Sequence, residues 1–418
     1  DIGPMEAESV PKFLNSEFLT ECLRTEFRNQ NIVIESYKTS RAAPPGYTFI
    51  SCPLRVQVSF KHHTEDSVIH FISLIVKSEP HEGQIKDKTD PIHLSEPVFY
   101  SKFVPEIYNL SSTQLVPKSF FSPRFFTVVL EDLREQGFQN ANKTKMLDLE
   151  HSRLYFKTAA TLHALSFVVN KNNPSILETI GKEKFYDNGL DISIIIKSHI
   201  RNGLKCLSEC TEKIERFKKY SKLLKDSITT LWDMLVEALK PSTVLNTLNQ
   251  GDPWTANMMF KYDEEGNVCD IRLLDFQLLR YGSPVNDLVF FIWTSATHEV
   301  RSNRLDELYH FYVETFNKAL RELNFNEAIS YEFIRNEERR LSPLALYLMA
   351  GMPPFNCDNS VTDMEPFFYQ ENEDEEAQNI YRKYYDEQFC SYHVPRYLEQ
   401  MESVGVFNYL QQCSQLRN

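Results

Sequence analysis

Asp252, Asn257 and Asp275 are the residues of this chain whose types and spacing could do chemistry. They lie in the stretches Gln250-Gly251-Asp252-Pro253-Trp254-Thr255-Ala256-Asn257 and Leu274-Asp275-Phe276-Gln277. An Asp, an Asn five residues on and a second Asp eighteen further on form the set that metal-assisted phosphoryl transfer needs. One carboxylate orients an attacking hydroxyl, while an amide oxygen and a second carboxylate hold magnesium beside a nucleotide. Taken singly, each of the three is ordinary turn or cap chemistry. It is the set, gathered around one short hairpin, that points to a site.

The hairpin follows from alternation. Met258 to Tyr262 and Val268 to Leu274 each read as a strand, and Asp263-Glu264-Glu265-Gly266-Asn267 between them is turn chemistry. Opposed residues of an antiparallel pair have a constant sum. Symmetry about Gly266 therefore sets Asn257 opposite Asp275, with their Cβ atoms roughly 5 Å apart. Asp252 is expected to be the hydroxyl-orienting carboxylate, and Asn257 and Asp275 the metal ligands.

Other residues can complete such a site. Val68 to Val76 reads as an apolar strand ending at Lys77, and Glu96 opens a short helix nineteen residues later. Lys77 is either a solvated strand-end charge or the cation for the nucleotide phosphates. Glu96 is either a favourable charge at a helix N-terminus or the carboxylate that fixes that cation. Gly46-Tyr47-Thr48-Phe49-Ile50-Ser51 falls where a phosphate-covering turn is expected, with backbone N–H groups at Gly46 and the Ser51 hydroxyl as donors. An ordinary turn after Pro44-Pro45 fits that stretch equally. Glu131-Asp132-Leu133 follows a strand over Phe125 to Leu130, and backbone groups at Glu131 and Leu133 can meet an adenine edge. Asp287 is expected as an N-cap that also holds the catalytic loop through backbone N–H groups.

These motifs resemble the ecdysteroid kinase-like (CHK kinase-like) family of insects, relatives of choline and aminoglycoside kinases in the protein-kinase-like superfamily. The resemblance rests on Gly251-Asp252-x-Trp254-x-x-Asn257-x-Met259-Phe260, Leu274-Asp275-Phe276-Gln277 and Pro284-x-x-Asp287-Leu288. Further matches are Glu96-Pro97-Val98-Phe99-Tyr100, Val129-Leu130-Glu131-Asp132-Leu133 and Leu162-His163-Ala164. It implies an α+β, two-lobed protein-kinase-like fold that transfers a phosphoryl group from ATP with Mg2+ to a small-molecule hydroxyl, in some members on an ecdysteroid. It also implies Lys77 on the ATP phosphates, paired with Glu96. Gln250 stands where the family has a histidine that braces the loop. An impaired kinase serving as a ligand-binding protein is therefore an alternative, as is a choline- or aminoglycoside-type kinase. Gln277, in place of the glycine of a protein-kinase DFG motif, argues against a protein kinase.

The rest of the chain sets bounds. Its 418 residues are 42% hydrophobic and 25% charged, enough for two lobes: a sheet-rich part over 1–132 and a mainly helical part over 133–418. A net charge of -13 disfavours a nucleic-acid partner. No apolar run is long enough to span a bilayer and no signal peptide is recognisable, so the expected compartment is the cytosol. Eight scattered cysteines indicate neither a zinc site nor a disulfide framework. Aromatics make up 13% of the chain. Met349, Gly351, Met352, Pro353, Pro354, Phe355, Trp293, Phe368, Tyr369 and Tyr385 are candidates to line a substrate pocket in the helical part. An apolar pocket would favour a steroid-like alcohol as partner.

Overall fold

The computed structural model describes residues 10–44, 47, 53–78, 92–190, 192–357, 361, 365–368 and 375–417, so Gly46, Ser51 and Tyr369 lie outside the described residues. The N-terminal part is built on one antiparallel sheet: β1 (Val33–Arg41), β2 (Leu54–Lys61), β3 (His70–Ser78), β4 (Ser119–Phe120) and β5 (Thr127–Glu131), in the order β1-β2-β3-β5-β4. Alternation gives each face its role. Leu54, Val56, Val58 and Phe60 of β2 and Leu74 and Val76 of β3 pack with Phe18, Leu19, Cys22 and Leu23 of the Ser16–Phe27 helix in a small core. The intervening residues of β3 turn the other way, and Ile75 and Lys77 line the cleft. The Ser16–Phe27 helix starts at Asn15, whose side chain accepts a hydrogen bond from the Phe18 N–H.

A helical run follows: Ser95–Val98, one π-helical stretch at Phe99–Phe103, and Val104–Leu110. It carries Glu96 on its first turn and packs Phe99 face to face on Phe276, with ring centroids 3.9 Å apart. It thus ties the sheet to the DFQ segment.

The remainder is mainly helical. Helices Leu149–Asn172 and Leu305–Glu322 pack together, as do Ser193–Glu212, Ser221–Ala238 and Ser342–Gly351. The chain breaks between the Ser193–Glu212 and Ser221–Ala238 helices over 213–220. Two small sheets interrupt the helices. β6 (Gln139–Asn140), β8 (Met258–Tyr262) and β9 (Val268–Leu273) form one; β7 (Thr247–Asn249) pairs with β10 (Arg280–Gly282) in the other. Among the described residues no helix is long and apolar enough to cross a membrane.

The cysteine expectation is overturned. Cys210, near the end of the Ser193–Glu212 helix, is disulfide-bonded to Cys390 in the Glu387–Ser403 helix, with Cα atoms 5.8 Å apart. The partners are 180 residues apart, and only the packing of the C-terminal helices onto Ser193–Glu212 brings them together.

Candidate active site

The loop carrying Asp252 is held by its neighbours. After β7 the backbone turns through Gly251, at φ 90°, a left-handed conformation natural to glycine. A Cβ there would sit 1.9 Å from the Leu278 carbonyl oxygen, so no other residue fits. The Asp287 carboxylate accepts hydrogen bonds from the backbone N–H groups of Gln250 (2.7 Å) and Gly251 (3.0 Å). His163 Nε2 lies 3.1 Å from the same carboxylate, and His163 Nδ1 lies 2.7 Å from the Tyr312 hydroxyl. Asp287 thus holds the loop as expected. It is not the N-cap, however, because its helix, Val285–Thr294, begins two residues earlier. Gln250 braces from the other side, its Nε2 donating to the carbonyls of Leu274 (2.6 Å) and Asn257 (3.4 Å). The Gln250 amide therefore ties the Asp252 loop to the hairpin.

The hairpin differs from the symmetric register. Met258 pairs with Leu273 and the Leu274 N–H donates to the Asn257 carbonyl (2.9 Å), so Leu274, not Asp275, stands opposite Asn257. The turn is centred on Glu265 rather than Gly266, with Tyr262 paired to Val268 and the Asp263 N–H on the Asn267 carbonyl (2.9 Å); the irregularity at Lys261/Tyr262 takes back one residue of the resulting offset and leaves one. A one-residue slip would normally send a side chain to the opposite face. Asp275 has left the strand, however, and adopts φ 61°. That turn of the backbone returns its carboxylate to the cleft, where both Asn257 and Asp275 line the same cavities. Asn257, in the short 3-10 turn Thr255–Asn257, donates through Nδ2 to the Asp252 carbonyl (2.9 Å) and to Asp252 Oδ2 (3.0 Å). With its NH₂ group so used, its Oδ1 is the atom left for a metal.

Lys77 is no solvated strand-end charge. It is buried, with Nζ 2.7 Å from Glu96 Oε2 and 2.9 Å from Asp275 Oδ1. Glu96 Oε1 accepts from the Phe276 N–H (3.2 Å), which ties the pair to the DFQ segment. Burial opposes the Lys77 charge, but Asp275 and Glu96 outweigh it and raise its pKa. Burial and the charge of Asp275 raise the Glu96 pKa against the pull of Lys77. The Lys77 ammonium and the Phe276 N–H both donate to its carboxylate, which holds the ion pair. Asp252 is half-buried, and its pKa is raised well above the carboxylate range by desolvation and by the charge of Asp275. Two carboxylates so placed disfavour each other's ionisation, and a divalent cation between them would relieve that.

Two cavities of about 760 Å³ each, both open to solvent, meet at Asn257 and Asp275. On one side, Ala42, Ile75, Leu130, Met259 and Leu274 form apolar walls, with Lys77 and Glu96 behind and Glu131 and Leu133 along the rim. This suits a flat heterocycle with a phosphate tail. The Glu131 carboxylate already accepts from the Lys118 N–H (2.8 Å) and Gln136 Nε2 (2.5 Å), and its backbone N–H donates to the Lys118 carbonyl (2.9 Å), so its own carbonyl is the part that would meet a ligand. On the other side, beyond Asp252, lie Tyr47, Phe185, Tyr186, Trp254, Tyr347, Met352 and Phe355. Among the described residues, only Met352 and Phe355 of the expected pocket lining face it; Trp293, Met349 and Tyr385 are buried in the helical core. Lys143, fully buried, donates to the Phe355 carbonyl (2.7 Å) beneath the rings of Tyr47 and Trp254. Sequence reading missed Tyr47, Tyr186, His199 and Tyr347 because their partners are remote along the chain.

A sequence profile of the ecdysteroid kinase-like family matches residues 45–325. The chain belongs to the ecdysteroid kinase-like family. The matched span of this ecdysteroid kinase-like protein holds every residue just described around the cleft except Ala42, Tyr347, Met352 and Phe355. No curated protein sequence matches it. Solved structures that resemble it include a microcompartment-associated aminopropanol kinase, at 13% identity over 94% of this chain and 99% of that one (TM-score 0.44). The ethanolamine kinase of Plasmodium vivax matches at 11% over 84% and 82% (TM-score 0.38). The macrolide 2'-phosphotransferase of Brachybacterium faecium matches at 11% over 87% and 97% (TM-score 0.39).

Proposed function

We propose that the protein is an ATP-dependent kinase that phosphorylates a hydroxyl of a lipophilic alcohol, an ecdysteroid or related steroid being the favoured class. One observation carries the reading. Lys77, Glu96 and Asp275 form a buried ion-paired set at the same cleft where Asn257 orients Asp252. Bound MgATP would supply the phosphoryl group and the charge that neutralises its oxygens. In this reading Lys77, held by Glu96, binds the nucleotide phosphates. Asn257 Oδ1 and Asp275 hold the magnesium, and the backbone at Glu131 and Leu133, where the two lobes join, receives the adenine. Asp252 accepts a hydrogen bond from the acceptor hydroxyl, aligns its oxygen for in-line attack and takes its proton.

The acceptor class is read from the far cavity. Its walls are mainly aromatic and aliphatic, and its described carboxylates are Asp252 and Asp275, both assigned to the reaction. That supports a lipophilic acceptor over a polycationic one, which would need additional carboxylates. Tyr47, Tyr186 and Trp254 also support a second reading, a quaternary ammonium alcohol held on ring faces. The bracing bonds of Gln250 support an active enzyme rather than a disabled one. Incubation with MgATP and a panel of steroids, choline and an aminoglycoside, followed by mass spectrometry, tests all three. Phosphorylation of a steroid alone is expected; a phosphorylated choline favours the second reading, a phosphorylated aminoglycoside overturns the acceptor class, and no product on any acceptor refutes the kinase.

A further inference from the structure

One polar group in the acceptor cavity has no partner among the described residues. His199 lines that cavity from the Ser193–Glu212 helix and is 2% exposed. Its ring is enclosed by Phe355 and Phe367, with centroids 4.9 and 4.8 Å away, and stacks at 6.4 Å on Tyr347. Gly351 lets the helices approach this closely: a Cβ at Gly351 would stand 3.1 Å from His199 Cβ. Burial holds the His199 pKa down at about 3, so the ring is neutral and has one N–H and one lone pair.

The Tyr347 hydroxyl lies 3.4 Å from His199 Nδ1 and 3.5 Å from Met352 Sδ, so Nδ1 has a partner as donor or as acceptor. Nε2, in either tautomer, is buried and without one among the described residues. A buried polar atom in that state is costly, and native structures keep few of them without a reason. Half-buried Met352, a flexible side chain, forms the adjoining cavity wall and can yield to a ligand.

We propose that His199 is a specificity-determining residue of the acceptor pocket, its Nε2 forming a hydrogen bond with a second hydroxyl of the substrate. The proposal rests on the kinase reading for the first hydroxyl, which Asp252 engages. It narrows the acceptor to an uncharged lipophilic diol or polyol. One hydroxyl faces the nucleotide, the other reaches the helical floor, and an apolar frame between them lies against Tyr186, Trp254 and Phe355. A singly hydroxylated analogue leaves Nε2 unpaired and binds more weakly. A quaternary ammonium group offers Nε2 neither a donor nor an acceptor.

Equilibrium binding without nucleotide tests this independently of catalysis. Matched pairs are androstanediol against androstanol and decanediol against decanol, titrated by calorimetry into the full chain. The wild type should bind the diol of at least one pair about tenfold or more tightly. His199→Leu should erase that preference. His199→Gln, whose side-chain amide can donate or accept in the place of Nε2, should restore part of it, which a purely structural role would not produce. Equal affinities within both pairs, or a preference that survives in His199→Leu, would overturn the proposal. Parallel assays with MgATP separate the two readings. Diol binding through His199 without phosphate transfer counts against the kinase alone; transfer with no diol preference counts against the role of His199 alone.

Discussion

Replacing Lys77 with methionine is the sharpest structural test of the site. Lys77 Nζ is within 3 Å of two carboxylates, and its side chain is 8% exposed against 4% for Glu96. Methionine keeps the length and the packing but removes the charge, leaving Glu96 and Asp275 facing each other without a cation. Removing one partner of a buried ion pair destabilises by about 3–5 kcal/mol. A 418-residue chain gains roughly 0.9 kcal/mol/K of unfolding entropy, at about 2.1 cal/mol/K per residue. The Tm should therefore fall by about 3–6 °C. A second substitution, Glu96→Gln, removes the stranded charge. The double variant should regain part of the loss and be more stable than the sum of the two single effects predicts. Scanning calorimetry on the four proteins measures this. A Tm within about 1 °C of wild type for Lys77→Met, or strictly additive effects, would refute the buried ion-pair reasoning.

Two further outcomes follow from other parts of the molecule. The Cys210–Cys390 link closes a span of 180 residues, and loop-closure entropy sets its contribution at about 5 kcal/mol as an upper figure. Cys210→Ser or a reducing agent should thus lower the Tm measurably, while reductant should leave Cys210→Ser unaffected; an unchanged wild-type Tm on reduction would rule the link out as a clamp. His199 titrates near its ordinary 6.5 when unfolded but at about 3 in the fold, so the unfolded chain binds the extra proton first. Stability should be full above pH 6.5 and decline by about 1.4 kcal/mol per unit below it, reaching roughly 2 kcal/mol at pH 5. Denaturant melts of wild type and His199→Gln should show a shallower acid decline in the variant, and parallel declines would contradict the assignment.

The parts of the site that were legible in the sequence are those whose chemistry is local. Asp252, Asn257 and Asp275 stand out because their types, the turn at Asp263–Asn267 and the flanking alternation lie within one short stretch. Their register did not, because neither the centring of the turn on Glu265 nor the irregularity at Lys261/Tyr262 leaves a mark in a pattern of apolar and polar residues. The positive φ of Asp275, which repairs the geometry, is equally silent. Lys77 and Glu96 were found through the demands of phosphate chemistry; their spacing alone also fitted two surface charges. Strand β1 has mixed half-buried and exposed positions, so no alternation announces Val33–Arg41. The His163–Asp287 brace, the Cys210–Cys390 bond and the His199–Tyr347 pair join residues more than a hundred positions apart. Such contacts arise from helix packing, which periodicity describes only one helix at a time.

Single-turnover transfer of labelled γ-phosphate from MgATP to an accepted alcohol, in wild type and in Asp252→Asn, tests the central claim most directly. The account predicts labelled product from the wild type, and from Asp252→Asn a transfer rate lower by at least about a hundredfold with ATP affinity retained, as expected when a positioned general base is lost. Transfer at the wild-type rate by Asp252→Asn would contradict it.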